Sequence, residues 1–594
     1  MIGTTYDKPS DPVKYVVDLF EATKRWREPQ ETRWKRFYRL YRSHRDSTTQ
    51  PFKSNIFVPY IFSIVESVVP KMLGTIFNTR PIVAVVPRKG AAEDMAKLLE
   101  RLLEYQLDED QLEFFNKILE FFKESVIYGT SFAKIIPRFN DDELATFNYI
   151  DIEPVDIFNI YPDYRAKSIR RMKYIIQLSY MDFDELKELE KQKFYKNVDD
   201  LLTYVESNMN VDEWKKKRLT DIGIIDEYGY DSERKVVEIL EYWDKDKIIT
   251  VGGRKVILKE EDNPFGGLVP FIMARYIPVQ HELYGIGIPE IAESLQEELN
   301  TVRNQRMDNV NLIINRMFIA NKYADIDFDN LVSYPGNIIL TNDVNAIKDL
   351  DTRDITKSAY QEEEIIKRDI DNATGEWEYA RGATPPRRET ATGIVRLQQA
   401  SNVRFDTVVK MLEFTVIRSI AKVFLWLDYN FLPPEEMAKI VGEEDFMKLG
   451  GPEFFNQDIE TILKQYSFQP MGSSTTAVKE VRIQQIMQAF QIFNNDPLIN
   501  QIELRKMVFD ALDIKNENKL LVEPRTPMPG MPGQMPPGQG ALPEGGPQPP
   551  QPPQPPKPGA KAPPAEATMA EMMRIPGGGL LPNGGNMPQQ AGAQ

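Results

Sequence analysis

The chain has 594 residues, 42% apolar and 27% charged, with 89 acidic against 73 basic side chains and a formal net charge of −16. It is too long for one compact core and too apolar for wholesale disorder, so several folded subdomains are expected. Zero cysteines exclude disulfides, thiolate metal sites and a cysteine nucleophile, two histidines exclude multi-histidine centres, and the acidic balance argues against a tight nonspecific DNA clamp.

Asp11-Pro12 opens an amphipathic helix with Val16, Leu19, Phe20 and Trp26 on its apolar side. Next, Arg33, Lys35, Arg36, Arg39, Arg42 and Arg45 interleave with Trp34, Phe37, Tyr38 and Tyr41. That pattern fits a helix that packs its aromatics and solvates its arginines, or a contact with an acidic partner such as nucleic acid. An apolar helix is expected from Val58 to Phe77, a strand from Pro81 to Pro87, and helices from Ala91 to Leu107 and Gln111 to Tyr128, with Gly129 as a stop. Residues 132–275 read as strand-rich, over Phe132–Pro137, Ala145–Ile152, Lys173–Tyr180, Val236–Trp243 and Ile248–Leu258, with a hairpin at Gly252-Gly253. Asp182 and Glu185 resemble a capping box for a helix ending near Lys193, and residues 200–222 are polar and mixed.

Residues 284–431 carry the most organised pattern. Gly285-Ile286-Gly287-Ile288-Pro289 leads into a helix, and Glu290 and Glu293 suit its positive N-terminus. Ile291, Leu295, Leu299, Val302, Val310, Ile313 and Met317 form one apolar stripe. Gln296, Asn300, Asn304, Asp308, Asn311 and Asn315 run beside it, as expected of a helix packed laterally with another face in water. From Pro289 to Phe318 the helix would span about 45 Å. A small insert follows, with a turn at Pro335-Gly336 and a strand at Ile338–Leu340. Helical character resumes from Asp354 toward Ala380, with Gly375 as a weak point. Arg381-Gly382-Ala383-Thr384-Pro385-Pro386-Arg387-Arg388 must be a loop, and Thr390 or Thr392 can cap a long helix reaching Phe431.

Pro433-Pro434 then breaks the chain, Tyr466–Pro470 reads as a strand, and helices are expected over Val478–Phe493 and Ile499–Leu512. Beyond Glu523 the composition shifts to Pro, Gly and Gln, which buries too little apolar surface to fold and favours polyproline II.

Signals for catalysis are nearly absent. There is no G-x-x-x-x-G-K-[S/T] phosphate loop, and Gly285-Ile286-Gly287 lacks the third glycine of a dinucleotide fingerprint. Asp141-Asp142 and Asp151/Glu153 lack a third acid or lysine at metal-dependent nuclease spacing, and His281 beside Glu282 reads as a loop residue. No catalytic residue, metal or cofactor is therefore assigned. The strongest membrane-length candidate, Met411–Leu427, contains Glu413, Arg418 and Lys422, and charges interrupt the N-terminus where a secretory signal would lie.

The ordered set Asn55-Ile56-Phe57-Val58-Pro59, Val65-Glu66-Ser67, Leu283-Tyr284-Gly285-Ile286-Gly287, Leu295-Gln296-Glu297-Glu298-Leu299-Asn300 and Thr390-Ala391-Thr392-Gly393-Ile394 resembles the portal proteins of tailed double-stranded DNA bacteriophages. The resemblance covers roughly residues 10–520, and no single motif in it is as specific as a metal signature. It implies an α+β, mainly helical fold of wing, stem, clip and crown with a disordered C-terminal tail. The wing would comprise a helical part (1–130) and a strand-rich part (131–283). The first stem helix (284–318), clip (319–353), second stem helix (354–380), tunnel loop (381–390) and long wing helix (391–431) would follow. The crown (432–522) and the tail (523–594) would complete the chain.

The implied function is a ring, dodecameric by resemblance, at one capsid vertex of the virion. Double-stranded DNA would pass through it during packaging and ejection, with no membrane involved. Partners would be the terminase large subunit, the major capsid and scaffolding proteins, and the head-tail adaptor, after assembly in the host cytoplasm. Arg381, Arg387 and Arg388 would face DNA from the tunnel loop, or the latter two would pair with nearby glutamates. Asp325, Asp327, Asp329, Asp343 and Asp349 would dock the motor and adaptor, and Leu295, Leu299, Val302, Val310 and Ile313 would pack subunits in the stem. Duplex carries about one charge per 1.7 Å, so about 45 Å of stem would face roughly 26 phosphates, and a largely acidic or neutral wall keeps that contact weak. A helical scaffold with a proline-rich recruiting tail, or a carboxylate-dependent nuclease, are the alternatives.

Overall fold

The computed structural model describes residues 11–45, 53–88, 90–107, 113–139, 147–202, 236–314, 317–323, 347–349, 356–375 and 403–472, and the isolated positions 486, 490, 505 and 508. All of them belong to one compact unit, Met1–Leu521. The expected tunnel loop, most of the clip, the helices over 478–493 and 499–512 (isolated positions apart) and the proline-rich tail lie outside the described residues.

Helix α1 (Pro12–Tyr41) starts where Asp11 Oδ1 accepts from the backbone N–H groups of Val13 at 3.0 Å and Lys14 at 3.3 Å. Pro12 fills the first turn, where its missing N–H has no intrahelical acceptor to lose. Val16, Phe20, Trp34 and Phe37 are buried, whereas Trp26, expected on the same face, is 43% exposed. Its neighbour Arg27 takes the buried place instead. The guanidinium donates to the carbonyls of Ile157 (3.1 Å), Phe158 (2.8 Å) and Ile160, and pairs with Glu31. A buried cation survives only when its donors are used in this way.

Helix α2 (Tyr60–Phe77) is long and apolar enough to cross a membrane by composition. It, and not Met411–Leu427, is the strongest such segment among the described residues. It carries Glu66 and Lys71, and Ile61, Ile64, Val65, Val68, Val69, Met72, Leu73 and Ile76 are buried in the core. Strand β1 (Val83–Pro87) and helices α3 (Glu93–Gln106) and α4 (Phe114–Tyr128) follow, and α4 ends at Gly129, φ 83°.

Two antiparallel sheets come next. Strands β2 (Thr130–Phe139) and β3 (Phe147–Val155) form one with β9 (Phe271–Arg275), in the order β3-β2-β9. Strands β4 (Ile160–Pro162), β5 (Tyr174–Asp182), β6 (Val236–Asp244), β7 (Lys247–Gly252) and β8 (Val256–Asp262) form the other, in that order. The β7–β8 turn sits on Gly253 (φ 55°) and Arg254 (φ 60°), at the expected hairpin. Helix α5 (Phe183–Lys191) starts two residues before the expected Glu185, and Asp182 occupies the N-cap position without a side-chain capping bond. The capping-box reading fails there.

Short strands β10 (Ile277–Pro278) and β11 (Gly285–Ile286) pair before helix α6 (Ile288–Ile314), and β12 (Phe318–Ala320) pairs antiparallel with β13 (Ile347–Asp349) ahead of helix α7 (Thr356–Thr374). Residues 403–412 are helical and continue through a π-helical turn, Glu413–Ile417, into α8 (Arg418–Phe431). The long helix expected here is therefore interrupted in register. Short helices between Pro434 and Gln465 lead to β14 (Tyr466–Pro470), which pairs antiparallel with β1 from Val83↔Pro470 to Pro87↔Tyr466.

One large core joins α2, α3, α4, α8 and the three-stranded sheet. A second packs Val16 and Phe20 of α1 onto Tyr161, Ile176, Leu178, Leu240 and Val251 of the five-stranded sheet. Helix α1 thus contributes to both.

Candidate functional site

The site is the helical pair α6–α7 and its root. The root is made by three glycines at backbone contact. A Cβ on Gly287 would lie 2.5 Å from the Ile127 carbonyl oxygen, one on Gly285 would lie 2.6 Å from the Gly129 oxygen, and one on Gly129 would strike Gly285. Gly285 N–H donates to the Thr130 hydroxyl at 2.8 Å, a buried bond. The glycines noticed in the sequence are therefore needed for close approach of α4's end to α6's start. Next to them Tyr284 stacks on Trp26 at 5.7 Å and meets Trp34 edge-on at 5.0 Å.

Glu290 and Glu293, in the first turns of α6, each bind a specific cation: Glu290 pairs with Arg33 and Glu293 with Arg36 at 2.5 Å. The aromatic partners of those arginines, Trp34 and Phe37, are buried. The interleaved run of α1 thus packs its rings and spends Arg33 and Arg36 on α6. Burial holds the Glu290 carboxyl above its usual range, against the lowering effect of Arg33.

The amide row on α6 is divided: Asn311 is exposed, Asp308 is half-buried, and the rest of its described members lie inside. Gln296, Asn300 and Asn304 do not meet water; all three are buried. They hold the extended segment that leads into α2. Ser54 N–H donates to Asp308 at 2.6 Å, Ile56 N–H to Asn304 at 2.6 Å, Val58 N–H to Asn300 at 2.9 Å and Ile61 N–H to Gln296 at 3.2 Å. In return Asn304 Nδ2 donates to the Ile56 carbonyl and Gln296 Nε2 to the Val58 carbonyl, both at 2.8 Å. Four residues of helix rise about 6 Å and two residues of strand about 6.6 Å, so Asn300, Asn304 and Asp308, spaced by four, match Val58, Ile56 and Ser54, alternate residues of an extended chain, while Gln296 reaches the first turn of α2. Side chains here replace the neighbouring strand that the segment's backbone would otherwise need.

Helix α7 runs antiparallel beside α6. Between them Glu363, almost fully buried, faces Arg306 at 2.7 Å, Lys367 at 3.2 Å and Arg303 at 3.4 Å. Arg306 also lies 3.9 Å over the Tyr360 ring. One carboxylate against three cations leaves the cluster positive. At the root of the pair, the Tyr60 hydroxyl donates to Asp371 at 2.9 Å. Gly375, φ 80°, follows the last residue of α7.

Of the residues expected to pack subunits, Leu299 is fully buried within its own chain, while Leu295, Val302, Val310 and Ile313 are half-buried. Arg381, Arg387, Arg388, Asp325, Asp327, Asp329 and Asp343 lie outside the described residues. Asp349 is in β13, its backbone opposite Phe318. Asp151 accepts from Lys117 and, at 3.1 Å, from Arg138, and Glu153 lies 3.7 Å from the same arginine. Ion pairs thus occupy Asp151 and Glu153, while Asp141 and Asp142 lie outside the described residues. Among the described residues no group of three or more His, Asp or Glu is placed to hold a metal ion. His281 is exposed, at φ 66° in the β10–β11 loop.

Residues 140–574 match the family model described as "Phage SU10 portal protein". No curated protein matches the chain.

Proposed function

The chain belongs to the phage SU10 portal protein family, and on that premise we propose that it assembles as a ring whose axial channel carries double-stranded DNA. It is a structural, non-enzymatic bacteriophage protein with a role in moving DNA into and out of the capsid. In the proposed assembly α6 and α7 of each copy stand as the stem, and residues 319–353 form a clip that meets the terminase motor and later the head-tail adaptor. The loop 381–390 projects Arg381, Arg387 and Arg388 toward passing phosphates. Asp325, Asp327, Asp329, Asp343 and Asp349 supply the acidic face of the clip. The ring, a dodecamer by resemblance, sits at one capsid vertex, bound by capsid and scaffolding proteins.

One observation carries this reading. Helix α6 gives one flank to the clamped segment and one face to α7; Leu295 and Val302 pack in part against the chain's own core, Ile313 is half-buried, and Leu312 is 41% exposed. A row of partly covered apolar side chains along a helix supports lateral packing by a further element. Native mass spectrometry tests it: a closed assembly of one defined copy number is expected, and only monomers and dimers would refute it.

A further inference from the structure

The two flanks of the helical pair differ in charge. At roughly 100° per residue, Glu362 and Asp369 lie about 140–160° around α7 from Lys367. Asp371, about 40° from Lys367 by the same spacing, accepts from Tyr60 beside the clamped segment, which places Lys367 on the clamped flank. On that flank Lys367 and Arg303 are about a third exposed, with side-chain exposures of 29% and 35%, and the single carboxylate between them, Glu363, is shared with buried Arg306. Arg303 Nε has no hydrogen-bond partner although it is buried. Glu364 and Arg368, farther round, pair with each other at 3.5 Å and cancel. At mid-height the clamped flank therefore carries a local surplus of positive charge, with Asp371, bound to Tyr60, Asp308, bound to the Ser54 N–H, and exposed Glu297 at other heights of the same flank.

The opposite flank is the reverse. It presents Glu298, Glu362 and Asp369, all exposed, beside half-buried Ile313 and the outer edges of Leu295 and Val302, which pack in part against the chain's own core, about 100° or more from the amides. Among the described residues of α6 and α7 this flank has no exposed lysine or arginine. A surface whose two sides are complementary in charge, and not self-complementary, suits a head-to-tail contact that closes into a ring rather than a twofold dimer.

We propose that Arg303 and Lys367 of one copy meet Glu362 and Asp369 of the next, while half-buried Ile313 and the remaining exposed edges of Leu295 and Val302 are covered in the same contact. The occupant is a second copy of this chain. The proposal rests on the ring reading above and adds to it a direction and a charge code: the clamped flank of each copy faces the acidic flank of its neighbour.

Charge-swapped variants of the full chain test it. One variant carries Glu362→Lys and Asp369→Lys, the other Arg303→Glu and Lys367→Glu. Folding is checked by circular dichroism and thermal melting, and assembly by analytical ultracentrifugation. Should Arg303→Glu upset the internal pair with Glu363, Lys367→Glu alone replaces the second variant. Each variant is expected to lose at least tenfold in assembled fraction while staying folded, and an equimolar mixture to assemble again, because each then offers the charge the other needs. A role in folding alone gives no such rescue. If the wild type closes into rings and the Glu362→Lys, Asp369→Lys variant assembles equally well, the charge code is overturned and the ring reading stands. Failure of the folded variants to assemble on mixing likewise overturns the pairing. A wild type that forms no closed assembly defeats both.

Discussion

Asn304 grips both backbone polar groups of Ile56: its Oδ1 accepts from the Ile56 N–H at 2.6 Å and its Nδ2 donates to the Ile56 carbonyl at 2.8 Å. The same Nδ2 reaches the Asn300 carbonyl at 2.6 Å, within α6 itself. No other side chain of this length offers a donor and an acceptor side by side without a charge. The clamp therefore specifies its residues. Asn304→Leu should loosen the segment by about 1–3 kcal/mol, the cost of backbone groups left unpaired. Hydrogen exchange at the Ile56 and Val58 amides should quicken by at least tenfold, while exchange in α4 is unchanged. Asn304→Asp should also fail, because it keeps the acceptor but turns an oxygen toward two carbonyls.

The glycine root makes a contrasting pair of predictions. Gly287→Ala places a methyl 2.5 Å from the Ile127 carbonyl oxygen and 2.8 Å from the Gly129 nitrogen, both backbone atoms that cannot step aside. A loss of about 3 kcal/mol is expected, the upper end for overpacking. Gly74→Ala, in α2 with nothing within 4 Å of the new methyl, should instead stabilise by about 0.5–1 kcal/mol. Thermal melting of the two variants, run together, separates a space requirement from a general intolerance of change.

Asp428 supplies a pH signature. It is fully buried in α8, and burial pushes its carboxyl up to about 8, partly opposed by the Gln106 amide, which donates to Oδ1 at 2.6 Å. Both Asp428 Oδ2 and Gln106 Oε1 lack partners, so a proton on Oδ2 shared with Gln106 Oε1 satisfies both at once. The folded state then holds a proton that the unfolded chain releases in the usual carboxylate range. Stability at this site therefore falls as pH rises from that range to about 8, and is level above it. Asp428→Asn keeps a donor and an acceptor without the proton. Its melting temperature relative to wild type should climb between pH 5 and pH 8 and then plateau; a pH-independent difference would show that Asp428 is not held protonated.

Arg387 and Arg388 follow the proline pair in the loop proposed to face the channel. Replacing both by Ala should reduce the amount of DNA packaged while leaving ring assembly intact, as expected if the guanidinium groups meet phosphates transiently. Packaging equal to wild type would discard that role.

What the sequence revealed and what it hid have physical causes. The strands Val83–Pro87 and Tyr466–Pro470 were legible from their β-branched and aromatic content, but nothing local could show that they pair with each other across the whole body. Strand β9 was missed because Phe271–Arg275 is a short, two-sided buried run with no alternation to read. The helices α6 and α7 and the glycines before them were visible as periodicity and punctuation. The amides were visible too, but their role was not, since an amide beside an apolar stripe looks alike whether it meets water or another stretch of backbone. Spacing by four, set against an upstream extended segment, was the signal that could have found the clamp. Arg27 shows the same limit: composition puts an arginine outside, and only the carbonyls of Ile157, Phe158 and Ile160, in the turn leading into β4, explain why it is inside.

In the proposed ring, copies of this chain stand side by side around a channel wide enough for duplex DNA. Negative-stain electron microscopy of the purified full-length protein tests it most directly. Annular particles of uniform copy number with a central hole in end-on views are expected; solid, non-annular particles at every concentration would rule the ring out.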